Sequence, residues 1–100
     1  MDYGAPLTAD YEAIIKAKFL DTLKDPMSAQ YLFSPPQTFW YKEAPLMGGR
    51  TYSGYSVAVK VNAKNGFGGY TGFEPYIFIF KNNNLIKILN KNDIETMKIK

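Results

Sequence analysis

The run from Tyr55 to Lys64 is the feature that most constrains how this chain can fold. A period of two in apolar residues is typical of a β-strand with one face buried and the other in water. The sequence therefore predicts a strand over residues 55–64 at the centre of a sheet. Five apolar or aromatic residues set this period: Tyr55, Val57, Val59, Val61 and Ala63.

The predicted strand leads into a connection, Asn65 to Phe73, that contains four glycines and three aromatic residues. Glycine reaches left-handed backbone conformations that other residues avoid, which favours a hairpin connection here. The next segment, Pro75 to Lys81, is apolar on both faces and predicts a covered strand. The asparagines at 82–84 predict a turn, and residues 85–89 complete a second hairpin.

The N-terminal part predicts one amphipathic helix followed by two short strands. Tyr11, Ile15 and Phe19 fall on one helical face, with Thr8 as the N-cap. Pro26 disfavours helical geometry in the residue before it, so we expect the helix to span residues 8–24. The strands are predicted at residues 28–33 and 38–42, on either side of a Ser-Pro-Pro break.

Together these elements predict an α+β fold in which one N-terminal amphipathic helix packs on an antiparallel sheet of about four or five strands. The chain has 100 residues, which suits a single domain over residues 1–100. Its predicted parts are the helix at 8–24, the sheet region at 28–89 and a polar tail at 90–100. Asp93 is a candidate cap for one short helical turn in that tail.

Composition excludes several kinds of chemistry. The chain has no cysteine and no histidine, so disulfides, thiolate nucleophiles, Cys/His zinc sites and histidine acid–base catalysis are excluded. We expect no metal, no cofactor and no enzymatic activity. The net charge is only +3, with scattered lysines, which favours a solvated surface over a nucleic-acid footprint. No apolar run approaches the length of a transmembrane segment.

The glycines of the connection invite comparison with phosphate-binding and RNA-binding signatures. A dinucleotide fingerprint needs a helix directly after its glycines, whereas here a strand is predicted. The RNA-recognition signature needs a second aromatic strand ahead of the first helix, and nothing before Tyr11 supplies one. A small single-stranded nucleic-acid-binding domain that uses basic and stacking residues nevertheless stays open as an alternative function.

A weaker alternative is a carboxylate-based hydrolase. Glu43 and Glu74 are the acidic residues in the loops of the β region, and paired carboxylates can hydrolyse glycosidic bonds. This alternative requires both side chains to face one cleft.

Two segments carry a resemblance to a known family. Residues 23–33, LKDPMSAQYLF, and residues 61–73, VNAKNGFGGYTGF, together resemble the motifs LKDPxSAxF and VNAKNxxGGYxGF. These motifs are similar to those of a family of small, uncharacterised bacterial exported proteins and putative lipoproteins. The resemblance implies a periplasmic or outer-membrane-associated location, with a signal sequence or lipidated N-terminus outside this chain. It implies no catalytic residues.

The candidate recognition surface is the end of the predicted strand and the connection after it. Aromatic rings beside short polar side chains suit stacking or packing against a partner. We therefore expect a non-catalytic binding or assembly module of the cell envelope with a protein or glycan partner. Seven residues are predicted to bind it: Asn62, Lys64, Asn65, Phe67, Tyr70, Thr71 and Phe73.

Overall fold

The structure is a computed structural model that describes residues 1–98. The fold consists of an open antiparallel sheet of five strands and two α-helices, which confirms the predicted α+β class. In chain order the elements are α1 (Tyr11–Phe19), β1 (Asp25–Phe33), β2 (Gln37–Lys42), β3 (Thr51–Lys64), β4 (Glu74–Lys81), β5 (Asn84–Leu89) and α2 (Lys91–Lys98).

Strand β3 organises the sheet, as the alternating run predicted, although it begins at Thr51 rather than Tyr55. One of its edges pairs with β4, and β4 pairs in turn with β5. Along its other edge, the first half of β3 pairs with β2 and the second half pairs with β1. The strands β1 and β2 therefore occupy the same position in the sheet, one after the other. The break between them falls at residues 34–36, where two consecutive prolines remove backbone donors.

The core lies between α1 and the alternating face of β3. Ile15 and Phe19 of α1 are buried against this face, and the Phe19 ring meets the Phe78 ring edge to face at 5.8 Å. Each such side chain contributes roughly 1.5–3 kcal/mol when fully buried. The sheet residues of the core cluster are Val57, Val59, Val61, Phe78 and Phe80.

The helix is shorter than predicted at both ends. It begins after Asp10, whose side chain accepts a hydrogen bond from the Ala13 N–H at 3.2 Å, so Asp10 rather than Thr8 is the N-cap. Thr8 is held outside the helix because its backbone N–H donates to Asn83 Oδ1 at 2.8 Å. The predicted turn residue Asn83 has a φ of 65° and so presents its amide to the N-terminal segment.

The C-terminal end of the helix prediction is also wrong. Helix α1 ends at Phe19, and the residues that were expected to continue it to position 24 form a turn. Pro26 does not act as the helix stop, because β1 already begins at Asp25, which pairs with Lys64. The start of β1 is therefore set by pairing with the end of β3 and not by the proline.

The segment after β5 is more ordered than predicted. Asn90 and Asp93 cap α2 reciprocally: each side chain accepts the backbone N–H of the other residue at 3.0 Å. This capping box satisfies two free donors at the helix N-terminus. The helix then packs on β4 and β5 rather than forming one frayed turn. Residues 99–100 of the predicted tail lie outside the described residues.

Candidate functional site

The side chain of Asn65 holds the tip of the connection between β3 and β4. Asn65 Oδ1 accepts the backbone N–H of Phe67 at 2.8 Å and that of Gly69 at 3.2 Å. The Asn65 N–H donates to the Gly69 carbonyl at 2.8 Å, and Gly68 takes a φ of 83° that favours glycine. The tip of the connection is therefore held by its own hydrogen bonds.

The base of the connection is tied to β3 and β1. Asn62 Oδ1 accepts the Gly72 N–H at 3.0 Å, and Asn62 Nδ2 donates to Gln30 Oε1 at 3.3 Å. The Thr71 backbone N–H and hydroxyl both reach the Ala63 carbonyl, at 3.2 and 3.4 Å. The polar atoms of Asn62 and Thr71 thus support the fold of the connection itself.

Tyr70 and Lys64 join the connection to an irregularity in β1. The Tyr70 hydroxyl donates to the Ser28 carbonyl at 3.2 Å, and the Lys64 backbone N–H donates to Ser28 Oγ at 3.0 Å. Lys64 Nζ lies 5.6 Å from the centre of the Tyr70 ring, within cation–π range. These contacts occur where the register of β1 on β3 shifts between Asp25 and Gln30.

Apolar side chains are left in solvent around this framework. The Phe67 side chain is 100% exposed, and Tyr70 and Phe73 are about half exposed. Met27, in the irregular part of β1, is 89% exposed at the same end of the sheet. These four side chains and the neighbouring Lys64 make up a surface that we call the tip surface: Met27, Lys64, Phe67, Tyr70 and Phe73.

All seven residues predicted to bind a partner lie at this one end of the sheet. The structure divides them, because the side chains of Asn62, Asn65 and Thr71 make hydrogen bonds to the backbone of the connection or of β3. Their role in binding stays a prediction. Met27 was not among the predicted residues, because it precedes the strand predicted at residues 28–33 and lies outside the Gly-rich connection.

The carboxylates of the hydrolase alternative lie far apart. The Glu43 N–H donates to the Arg50 carbonyl just before β3, whereas Glu74 pairs with Val61 near the other end of β3. Glu43 instead contacts Lys87, whose strand partner Ile79 lies five positions from Glu74 on β4, roughly 17 Å at the rise of a strand. The structure therefore pairs Glu43 with Lys87 and not with Glu74.

Among residues 1–98, no group of three or more acidic, cysteine or histidine side chains could hold a metal ion. No helix there is long and apolar enough to cross a membrane.

Comparisons of the chain with protein-family models, with curated proteins and with solved structures each gave no match. The resemblance to exported bacterial domains therefore stays a prediction.

Proposed function

We propose that this chain is a non-catalytic binding or assembly module of the bacterial cell envelope, and that its tip surface holds a protein partner. The observation that carries the proposal is the fully exposed Phe67 ring on a connection closed by its own hydrogen bonds. Aromatic residues and methionine are enriched in protein interfaces, and Met27 stands at the same end of the sheet.

The energetics favour such a role for Phe67. Burial of a phenylalanine side chain against a partner contributes roughly 1.5–3 kcal/mol. Binding by a flexible loop loses part of this gain to ordering of the chain. Here Asn65 and Asn62 already hold the backbone on both sides of the ring. The backbone that carries the ring therefore loses little conformational entropy when a partner binds.

A protein partner fits the tip surface better than a glycan. Recognition of a sugar needs polar groups placed to meet its hydroxyls, in addition to a ring that stacks on it. The side-chain oxygens of Asn62 and Asn65 accept backbone N–H groups of the connection, and the Thr71 hydroxyl donates to the Ala63 carbonyl of β3. What faces solvent is mainly three aromatic rings and a methionine, which suit an apolar protein surface.

The envelope location is supported by the resemblance of the two motifs alone. Fractionation of cells that express the full-length gene product tests it directly. Recovery in the periplasmic or outer-membrane fraction is expected, and recovery in the cytosol would contradict this part of the proposal.

The binding role is tested by NMR titration of isotope-labelled protein against solubilised envelope proteins, peptidoglycan fragments and single-stranded oligonucleotides. We expect envelope proteins to shift the amide signals of residues 64–73. Phe67→Ala should weaken this binding by about tenfold or more, which corresponds to roughly 1.4 kcal/mol.

Leu46→Ala is the matched control, because Leu46 is also 100% exposed but lies in the connection between β2 and β3. It should leave the titration unchanged. Neither substitution should change the free energy of unfolding by more than about 0.5 kcal/mol, because both side chains are in solvent. Shifts with peptidoglycan alone would replace the protein partner with a glycan, and salt-sensitive shifts with oligonucleotides would favour the nucleic-acid alternative. Absence of any shift at residues 64–73 would refute the proposal.

A further inference from the structure

A second feature lies away from the tip surface, where α2 faces the connection between β2 and β3. A cavity of about 480 Å³ opens there. This volume falls within the range of about 300–1,000 Å³ that is usual for small-molecule sites. Its lining includes Tyr41, Glu43, Met47, Lys87, Asp93 and Met97.

The polar part of this cavity is an ion pair. Glu43 is only 9% exposed, and its Oε2 accepts a hydrogen bond from Lys87 Nζ at 3.2 Å. Its Oε1 accepts the Arg50 backbone N–H at 3.2 Å. Lys87 Nζ also lies 5.2 Å from the centre of the Tyr52 ring. The two charges therefore compensate each other inside the protein.

Hydrogen-bonding capacity is left over in this pair. A carboxylate oxygen can accept two hydrogen bonds, and an ammonium group has three donors. Within the part of the chain that the structure describes, each oxygen of Glu43 accepts one hydrogen bond, and Lys87 gives one donor to Glu43. A neutral group that both donates and accepts can therefore bind beside the pair without breaking it.

The charges of the other lining residues that the structure describes also balance. Among residues 1–97, the lining contains two lysines and two acidic residues. Asp93 Oδ2 is engaged with the Asn90 N–H, and the Thr96 hydroxyl donates to the Asn92 carbonyl. Burial raises the pKa of the Tyr41 phenol, and the negative charge of Asp93 acts in the same direction, so this group stays neutral.

Apolar side chains form the remaining wall. Met47 and Met97 line the cavity from the two elements that face each other across it. Methionine is flexible and polarizable, and it adapts to ligands of irregular shape. An apolar wall opposite a neutralised ion pair is the pattern of a site for an amphipathic molecule.

From this geometry we propose that the cavity binds a small uncharged amphipathic molecule. Its apolar body packs on Met47 and Met97, and a hydroxyl or amide group bonds to the Glu43–Lys87 pair. A charged ligand is disfavoured, because it would compete with one member of the pair and leave the other partly buried without its partner. A purely apolar ligand would cover the remaining donors and acceptors without replacing their bonds to water.

The site is tested with three probes of nearly equal shape: cyclohexylmethanol, cyclohexanecarboxylate and cyclohexylmethylammonium. Each is titrated into protein that carries ¹³C-methyl methionine. We expect the alcohol to shift the methyl signals of Met47 and Met97 and to leave Met27 unchanged. Its Kd should be about 1 mM, which lies within the range open to a ligand of this size, and each ion should bind about tenfold more weakly.

A matched pair of substitutions on α2 tests whether the probe binds inside the cavity. Thr96→Phe places a ring at the cavity and should abolish the shifts, whereas Glu95→Phe adds the same ring at an exposed position outside the lining. Phe67→Ala should leave probe binding unchanged, so this test is independent of the tip surface. Three results would overturn the proposal: no alcohol-induced shift of Met47 and Met97, equal affinity for the three probes, or equal loss in both α2 variants.

Discussion

At the tip surface, Asn62 and Asn65 bond to the backbone of their own connection, and the Phe67 ring is left in solvent. Around the cavity at α2, Glu43 and Lys87 pair with each other and are largely removed from solvent. The first arrangement uses neutral amides to shape exposed backbone. The second uses opposite charges to satisfy each other next to an apolar wall.

This contrast predicts which substitutions in each region alter stability and which alter binding. An exposed amide that caps a turn contributes about 1 kcal/mol, because water replaces most of what is lost on its removal. A buried charge whose partner is removed keeps its desolvation penalty without compensation. We therefore expect the cavity region to be sensitive in stability and the tip surface to be sensitive in partner binding.

The largest expected effect is that of Glu43→Ala. It removes the partner of Lys87 and the acceptor of the Arg50 N–H. We expect a loss of about 2 kcal/mol in the free energy of unfolding, below the 3–5 kcal/mol typical of fully buried pairs because Lys87 retains some exposure. Urea unfolding monitored by circular dichroism measures it.

Glu43→Gln separates the two parts of this effect. The amide oxygen can still accept the Arg50 N–H, so only the charge is lost, and about half of the destabilisation is expected. Equal losses in the two variants would show that the charge dominates. A loss below about 0.5 kcal/mol for Glu43→Ala would remove the contrast between the two regions.

A smaller effect is expected for Asn65→Ala. It removes the oxygen that accepts two backbone N–H groups of the connection, with an expected loss of about 1 kcal/mol. Asn65→Asp keeps an acceptor and should stay within about 0.5 kcal/mol of the parent. Unfolding curves measure both. Asn65→Ala should also weaken binding of a partner at Phe67 while leaving alcohol binding at the cavity unchanged; the opposite pattern would contradict the division of roles.

The smallest expected effect is the response of stability to alkaline pH. Burial lowers the pKa of Lys87, but the hydrogen bond to Glu43 and the surrounding negative groups outweigh it and raise the pKa above the usual 10.5. The ion pair therefore contributes stability fully below pH 10.5 and loses it as pH rises through the folded-state pKa. Tyr41 acts in the same direction above pH 10.0, because burial raises the pKa of its phenol.

Unfolding measured between pH 8 and 12 tests this response. Lys87→Met should reduce the alkaline loss, whereas Asn65→Ala should leave it unchanged. Part of the loss should persist in Lys87→Met, because burial also raises the pKa of Tyr31 and Tyr76. An identical pH dependence in the parent and Lys87→Met would contradict the role of the pair.

Much of the sheet was predictable because strand patterning is a local property. The alternation from Tyr55 to Ala63 marks the buried face of β3, and the asparagines after Lys81 mark a turn whose left-handed backbone they tolerate. The ends of α1 were not predictable in this way. They depend on the bond from Thr8 to Asn83, 75 positions along the chain, and on the pairing of Asp25 with Lys64.

The two sites differ in the same respect. The connection after β3 could be singled out because its glycines, asparagines and aromatic rings are consecutive. The cavity could not, because Glu43, Lys87 and Met97 are dispersed in sequence and none belongs to a motif. Within the connection, sequence also could not separate the amides that bond internally from the rings that face solvent.

The sequence alone determined the α+β class, the buried face of the central strand and the composition of the connection after it, because periodicity and turn preference act over a few neighbouring residues. Three other features depend on tertiary contacts: the residue at which α1 begins, the packing on the sheet of the helix that Asn90 and Asp93 cap, and the contact of Glu43 with Lys87 rather than Glu74. Each of these depends on partners brought together by strand pairing and side-chain contact across long stretches of chain. A pattern over a few neighbouring residues does not show which distant residues come into contact.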